Sequence, residues 1–291
     1  MLTTFDGGCR LALPPWRIAS HLASHLLEEA WDAHRRAAEL PAEERLALDG
    51  HQDPFGGTHP AADAPCRPST YGELPVDVVG HPSFALSSSD KGGSPDHVLD
   101  LGAGDGKLVT TAVLLHGAAS GLGIELAASR VADGCAALER LVAALKVAEQ
   151  SPRWQLAAAG RSFDAWGGAA PTVELRVGDA RTADFGRATT RVLMYATCFP
   201  LELATALQHR LAAELPAGAR VLAAGARGWH ARLDATHHEA GRSRWLVNEE
   251  RVLASNRSGA DADDPRSDER PCLSDVADMV WTVVEEEVER T

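Results

Sequence analysis

Long apolar runs are missing from this chain, and positive charge is in short supply. No apolar stretch reaches the roughly 18 residues of a membrane-spanning helix. The N-terminus has neither the charged start nor the continuous apolar block of a secretory signal, so a soluble chain without a membrane partner is expected. Lysine and arginine total 28 against 41 aspartates and glutamates, a formal net charge of −13 at pH 7. Non-specific affinity for nucleic acid comes mainly from cations that neutralise phosphates, so no direct nucleic-acid partner is expected. Cysteine is sparse: Cys9, Cys66, Cys135, Cys198 and Cys272 fall without paired spacing. That pattern argues against a disulfide framework or a zinc cage and suggests reducing, intracellular surroundings. His21 and His25 stand one helical turn apart with no third ligand near them in sequence, and no metal is expected.

What is present is 291 residues with 45% hydrophobic content, ample for one α/β core and an N-terminal extension. Trp16, Ala19, Leu22, Ala23, Leu26, Ala30, Ala33 and Ala37 recur at helical spacing. They predict an amphipathic helix over 15–40, ended by Pro41. Residues 49–70 are rich in Gly, Pro, Asp and His and read as a linker, and Ser87 to Ser94 form a second polar joint. The expected division is an extension and linker over 1–68 and a main domain over 69–291.

The most informative segment is His97-Val-Leu-Asp-Leu-Gly-Ala-Gly-Asp-Gly106, an apolar strand ending in an acid and then glycines at alternate positions. Glycine lacks a Cβ and tolerates positive φ, so such a turn lets backbone approach a ligand, and the helix that follows aims free N–H groups at it. A dinucleotide fingerprint requires Gly-x-Gly-x-x-Gly, but Lys107 occupies its last position and the third glycine comes one residue early. Asp100 also sets a carboxylate beside the turn, which suits a cationic ligand and would repel a diphosphate.

Two further strand ends carry acids. Lys107 to Ala118 is a helix-length apolar segment, after which Gly121-Leu-Gly-Ile-Glu-Leu126 places Glu125 at the end of the next strand. That is about 20 residues past the turn, where ribose hydroxyls are met in Rossmann-like folds. A long helical stretch over Ala127 to Gln150 follows. Thr172-Val-Glu-Leu-Arg-Val177 then alternates as a strand into Gly178-Asp179-Ala180, where Asp179 suits an adenine amino group and Ala180 leaves room beside the ring. Taken together, these charges point to S-adenosylmethionine as cofactor, held by Asp100, Leu101, Gly102, Ala103, Gly104, Gly106, Lys107, Glu125, Leu126, Asp179 and Ala180.

The alternation continues with a strand from Arg191 into Thr197-Cys198-Phe199, a proline-led helix over Pro200 to Leu215 and a strand over Ala219 to Ala224. Two β-rich segments, Arg244 to Ala254 and Met279 to Val288, predict a terminal antiparallel pair, with Glu285 to Glu287 on its wet edge. Arg227, Arg232, Arg242, Arg244, Arg251 and Arg257 recur nearby with His230, His237 and His238, as a solvated face or a contact for an acidic partner. The expected fold is α/β: a Rossmann-like, mostly parallel seven-stranded sheet with helices on both faces and an N-terminal helical extension.

This layout resembles the seven-stranded class I methyltransferases. Within them it is most similar to the disruptor-of-telomeric-silencing type of histone-lysine methyltransferase, which lacks a SET domain. Ser69-Thr-Tyr-Gly-Glu-Leu74 resembles that family's Tyr-Gly-Glu loop over the cofactor, Val98 to Gly106 its glycine turn, and Met194 to Phe199 its lysine-channel segment. Leu74 replaces a threonine, and Tyr195 stands in place of an asparagine. The resemblance implies methyl transfer to a protein lysine, histone or other, with Tyr71 and Glu73 closing the lid and Tyr195 and Phe199 walling the channel. A small-molecule methyltransferase, or a degenerate cofactor-binding interaction module, are the alternatives. The methyl acceptor and the oligomeric state are not legible in the sequence.

Overall fold

In the computed structural model the described residues are 1–13, 20–32, 41, 43, 79, 96–149, 170–186, 188–196, 199, 201–216, 219–224, 243–249 and 279–286. Tyr71, Glu73 and the polar joint 87–94 lie outside them. The elements in chain order are β1 (Leu2–Phe5), β2 (Gly8–Ala12), α1 (Ser20–Asp32), β3 (His97–Leu101) and α2 (Lys107–Leu114). They continue with β4 (Ser120–Glu125), α3 (Ala128–Glu149), β5 (Thr172–Val177), β6 (Arg191–Tyr195), α4 (Leu201–Glu214), β7 (Arg220–Ala224), β8 (Ser243–Glu249) and β9 (Met279–Glu286). None of the described helices is long and apolar enough to cross a membrane.

All the described strands join one sheet in the order β1-β2-β5-β4-β3-β6-β7-β9-β8. Strands β5, β4, β3, β6 and β7 run parallel, and β9 and β8 close the far end antiparallel. The seven-stranded Rossmann-like sheet is therefore present, with the terminal antiparallel pair where the β-rich segments predicted it. Strand β9 lies between β7 and β8, and its Glu285 and Glu286 extend past the β7 pairing, opposite Arg244 and Ser243 of β8.

A hairpin that no expectation from the sequence covers precedes α1. β1 and β2 pair with each other, and β2 pairs antiparallel with β5, carrying the sheet to nine strands. Short strands with a single buried face leave little signal in the sequence, and here that face is Cys9 and Leu11. The expectation against disulfides is also overturned at one pair, because Cys9 of β2 is bridged to Cys135 of α3 across 126 residues. Spacing along the chain carried no hint of it. The two residues meet only because β2 lies under α3.

Alternation along the strands divides the interior into two cores. Val98, Val173, Leu175, Leu193 and Leu222 face one side and pack with Leu26, Leu27 and Trp31 of α1, Val109 and Val113 of α2 and Leu138 and Leu141 of α3. Leu99, Leu101, Ile124, Val192, Met194, Val221 and Ala223 face the other, against Leu207 and Leu211 of α4. With helices on both faces, the inner strands β3, β6 and β7 are largely apolar, whereas β5 carries Glu174 and Arg176, with Glu174 bonded by Arg10 of β2 and by Arg176. Gly121 makes the close approach of α2 possible, since a Cβ there would come 2.6 Å from Val109 Cγ2. At the amino ends of the strands, Arg191 Nη1 meets Asp96 Oδ1 at 3.1 Å, with both side chains almost fully buried. Thr190 donates to the same oxygen at 2.7 Å. Burial lowers the Arg191 pKa from its usual value, with Asp96 opposing that shift.

Candidate cofactor site

Strand order reverses at β3, with β4 and β5 on one side and β6 and β7 on the other. Ligands in open α/β sheets bind beyond the carboxyl ends of the strands at such a switch point, and the glycine turn sits there. Gly102, Gly104 and Gly106 all have positive φ, at 79°, 57° and 77°, a region that L side chains rarely adopt. Gly106 is doubly required, because a Cβ there would lie 2.4 Å from Leu175 Cδ2 of β5. It also caps α2 without a side-chain hydrogen bond, while Asp105 Oδ1 accepts from Lys107 N at 3.2 Å.

Glu125 ties the strand ends together. Its Oε2 accepts from Gly104 N at 2.9 Å and its Oε1 from Ala127 N at 3.0 Å. Its carbonyl oxygen accepts from Gly178 N at 2.9 Å, one residue before Asp179. Arg130 of α3 stands 3.6 Å from Oε1. The carboxylate expected to serve ribose is thus buried, and it also organises the turn. A carboxylate has about four acceptor positions, so two backbone bonds leave capacity for hydroxyls. Beside it Leu126 is 44% exposed.

Asp100 is 4% exposed. Its carboxyl pKa is pushed up to about 8, first by burial and then by the neighbouring charges of Glu125 and Asp105. It is therefore largely protonated at neutral pH. A cation arriving beside it would favour the charged form and draw the proton off.

Asp179 lies in the loop after β5, where its carboxylate is engaged by Arg181: Nε reaches Oδ2 at 2.8 Å and Nη2 reaches Oδ2 at 2.5 Å. Ala180 follows it, half-buried. Phe199 stands on the turn itself, since a Cβ on Gly102 would come within 3.0 Å of its Cζ. Tyr195 packs against the core shared by α1, α2 and α3, whereas Phe199 packs against the α4 core. The two expected channel residues therefore flank the same strand end from opposite cores. Lys107 sends its ammonium to Glu28 of α1 at 3.5 Å, pinning that helix beside the turn.

Sequence reasoning missed three contributors to this geometry. Gly123 admits Ala103 and Leu175, Gly134 of α3 lies against the Asp105 carbonyl, and Arg130 faces Glu125. A lone glycine in a helix and an arginine one turn along carry no signal of what they touch.

No family model and no curated protein matches the chain. Among solved structures it is similar to an RNA methyltransferase from Salinibacter ruber in complex with S-adenosyl-L-homocysteine, at 20% identity and TM-score 0.40. That match covers 76% of this chain and 98% of the other. The rRNA methyltransferase aviRa from Streptomyces viridochromogenes is similar at 22% identity over 65% of this chain and 84% of its own, TM-score 0.37. Phosphoethanolamine N-methyltransferase 1 from Haemonchus contortus is similar at 13% identity over 94% of this chain and 51% of its own, TM-score 0.42.

Proposed function

We propose that this chain is an S-adenosylmethionine-dependent methyltransferase whose acceptor is the side-chain amine of a protein lysine. The observation that carries the reading is the convergence on Glu125, whose carboxylate holds Gly104 of the turn and whose carbonyl holds Gly178 beside Asp179. Acids and small residues from successive βα junctions thereby share one edge of the sheet, which supports the reading. Their chemistry matches the cofactor's parts: Asp100 for the cationic methionine end, Glu125 for the ribose, Asp179 for the adenine amino group, with Leu126 and Ala180 offering apolar sides.

When bound, the cofactor supplies an electrophilic methyl group on a sulfonium, and the C–S bond breaks as a neutral amine takes the methyl in line. The chain's own task is to orient and desolvate. An apolar channel disfavours the ammonium form of lysine, so the amine loses its proton to solvent on entry. Phe199, seated on Gly102, and Tyr195 are the wall residues in this reading, and the resemblance assigns Tyr71 and Glu73 to the lid. The lysine acceptor rests on the resemblance of the 69–74 and 194–199 segments.

The test is calorimetric titration with S-adenosylmethionine, followed by transfer of labelled methyl to lysate proteins and hydrolysis to amino acids. Methyl-lysine in the wild-type sample and its loss in Asp179→Ala support the reading. Label only in material passing a small-pore filter would instead identify a small-molecule acceptor. Binding without transfer would identify an interaction module, and absence of binding would refute the site altogether.

A further inference from the structure

We infer that Arg210 of α4 is a positioning residue for adenine recognition, acting through the loop that carries Asp179; this rests on the cofactor reading above. Its guanidinium reaches a loop about thirty residues earlier in the chain. Nη1 donates to the Ala180 carbonyl at 2.8 Å and Nη2 to the Ala183 carbonyl at 2.6 Å. The group is itself held by Glu214 one turn along, Nε to Oε1 at 2.5 Å and Nη2 to Oε2 at 2.9 Å. It also lies over the Phe185 ring at 3.8 Å from the centroid. An isolated surface pair at this spacing contributes little to stability, yet here the planar fork joins a helix to two carbonyls of one loop. Such a double contact needs guanidinium geometry, and an ammonium cannot reproduce it.

The peptide between Ala180 and Arg181 shows what the clamp controls. Its C=O accepts from Arg210, and its N–H donates to Asp179 Oδ1 at 2.8 Å. Both ends of one peptide plane are thus fixed, one by α4 and the other by the carboxylate expected to meet adenine. Thr182 N and Ala183 N both donate to the Asp179 carbonyl at 3.0 and 2.8 Å, Arg181 engages the Asp179 carboxylate, and Gly178 N ties the start of the loop to the Glu125 carbonyl. Those bonds shape the turn, while Arg210 fixes it against the sheet and α4. Without Arg210 the Ala180 carbonyl loses its tie to α4, and the loop that presents the Asp179 carboxylate shifts with it.

The experiment compares affinities for S-adenosylhomocysteine and for its 6-oxo analogue S-inosylhomocysteine, which presents a carbonyl where adenine presents an amino donor. Wild type is expected to prefer the adenosyl compound by roughly tenfold or more, the scale of one well-placed hydrogen bond. Arg210→Ala is expected to reduce that preference to within about threefold, chiefly by weakening the adenosyl compound. Combining it with Asp179→Ala should add nothing further, as coupled residues require. Arg210→Lys, which keeps the charge over Phe185 but cannot span both carbonyls, is expected to fall between and serves if the alanine variant does not fold. A general loss of stability would lower both affinities without altering their ratio. Wild-type discrimination retained in folded Arg210→Ala or Arg210→Lys would overturn the inference and leave the cofactor reading standing. Failure of wild type to bind S-adenosylhomocysteine would overturn both.

Discussion

Replacing Asp100 by asparagine removes a proton-binding group from the switch point while keeping its shape, and its effect on stability is calculable. The carboxyl titrates near 3.8 in an unfolded chain and at about 8 in the fold. Between those values the folded protein holds a proton that the unfolded chain has released. Stability therefore falls as pH rises, by about 1.36 kcal/mol for each pH unit. The contribution is fully present below the unfolded value and exhausted above the folded one. Between about pH 5 and pH 8 the loss is on the order of 4 kcal/mol, an upper figure because relaxation and water entry soften real interiors. Urea unfolding of wild type and Asp100→Asn across that window isolates the effect, since the other groups titrate in both proteins. The difference between the two curves should widen with pH, with the variant gaining on wild type. Curves that stay parallel would refute the argument that burial keeps Asp100 protonated. A companion measurement uses the cofactor: at about pH 6.5, binding to wild type should release up to one proton, and binding to Asp100→Asn none. Calorimetry in buffers of different ionisation enthalpy reads that count.

Gly106→Ala forces a Cβ into positive φ and against Leu175; a loss of about 2–4 kcal/mol in thermal unfolding is expected, together with weakened cofactor binding. Arg191→Met leaves Asp96 buried without its ion-pair partner and should cost about 3–5 kcal/mol in urea unfolding, part of it regained in the double variant with Asp96→Asn. Cys135→Ser removes the tie between β2 and α3, with an expected loss of about 2–4 kcal/mol. Reductant should lower the melting temperature of wild type and leave that of the variant unmoved.

The order and kind of the core elements were legible because they depend on local properties. The run Thr172 to Val177 was placed residue for residue, and the helix expected over Ala127 to Gln150 spans Ala128–Glu149. The inner strands β3, β6 and β7 are largely apolar because both faces are covered, β5 alternates, and a turn with positive φ at alternate positions must use glycine. These constraints are written in consecutive residues. The N-terminal hairpin was not legible, because strands of four and five residues with one buried face carry too little pattern to separate from loop.

Within the site, the chain by itself specified which acids end β3 and β4 and which acid follows β5, since a strand's end is marked in the sequence. What those acids do was decided by neighbours far away along the chain. Glu125 binds the glycine turn because β4 lies beside β3, and Asp100 holds its proton because it is buried while two further carboxylates stand nearby. Cys9 finds Cys135 because β2 was added under α3, and Arg210 finds the Asp179 loop because α4 packs across the sheet. Dielectric environment and long-range pairing are properties of the packed chain, so only the tertiary structure could fix them.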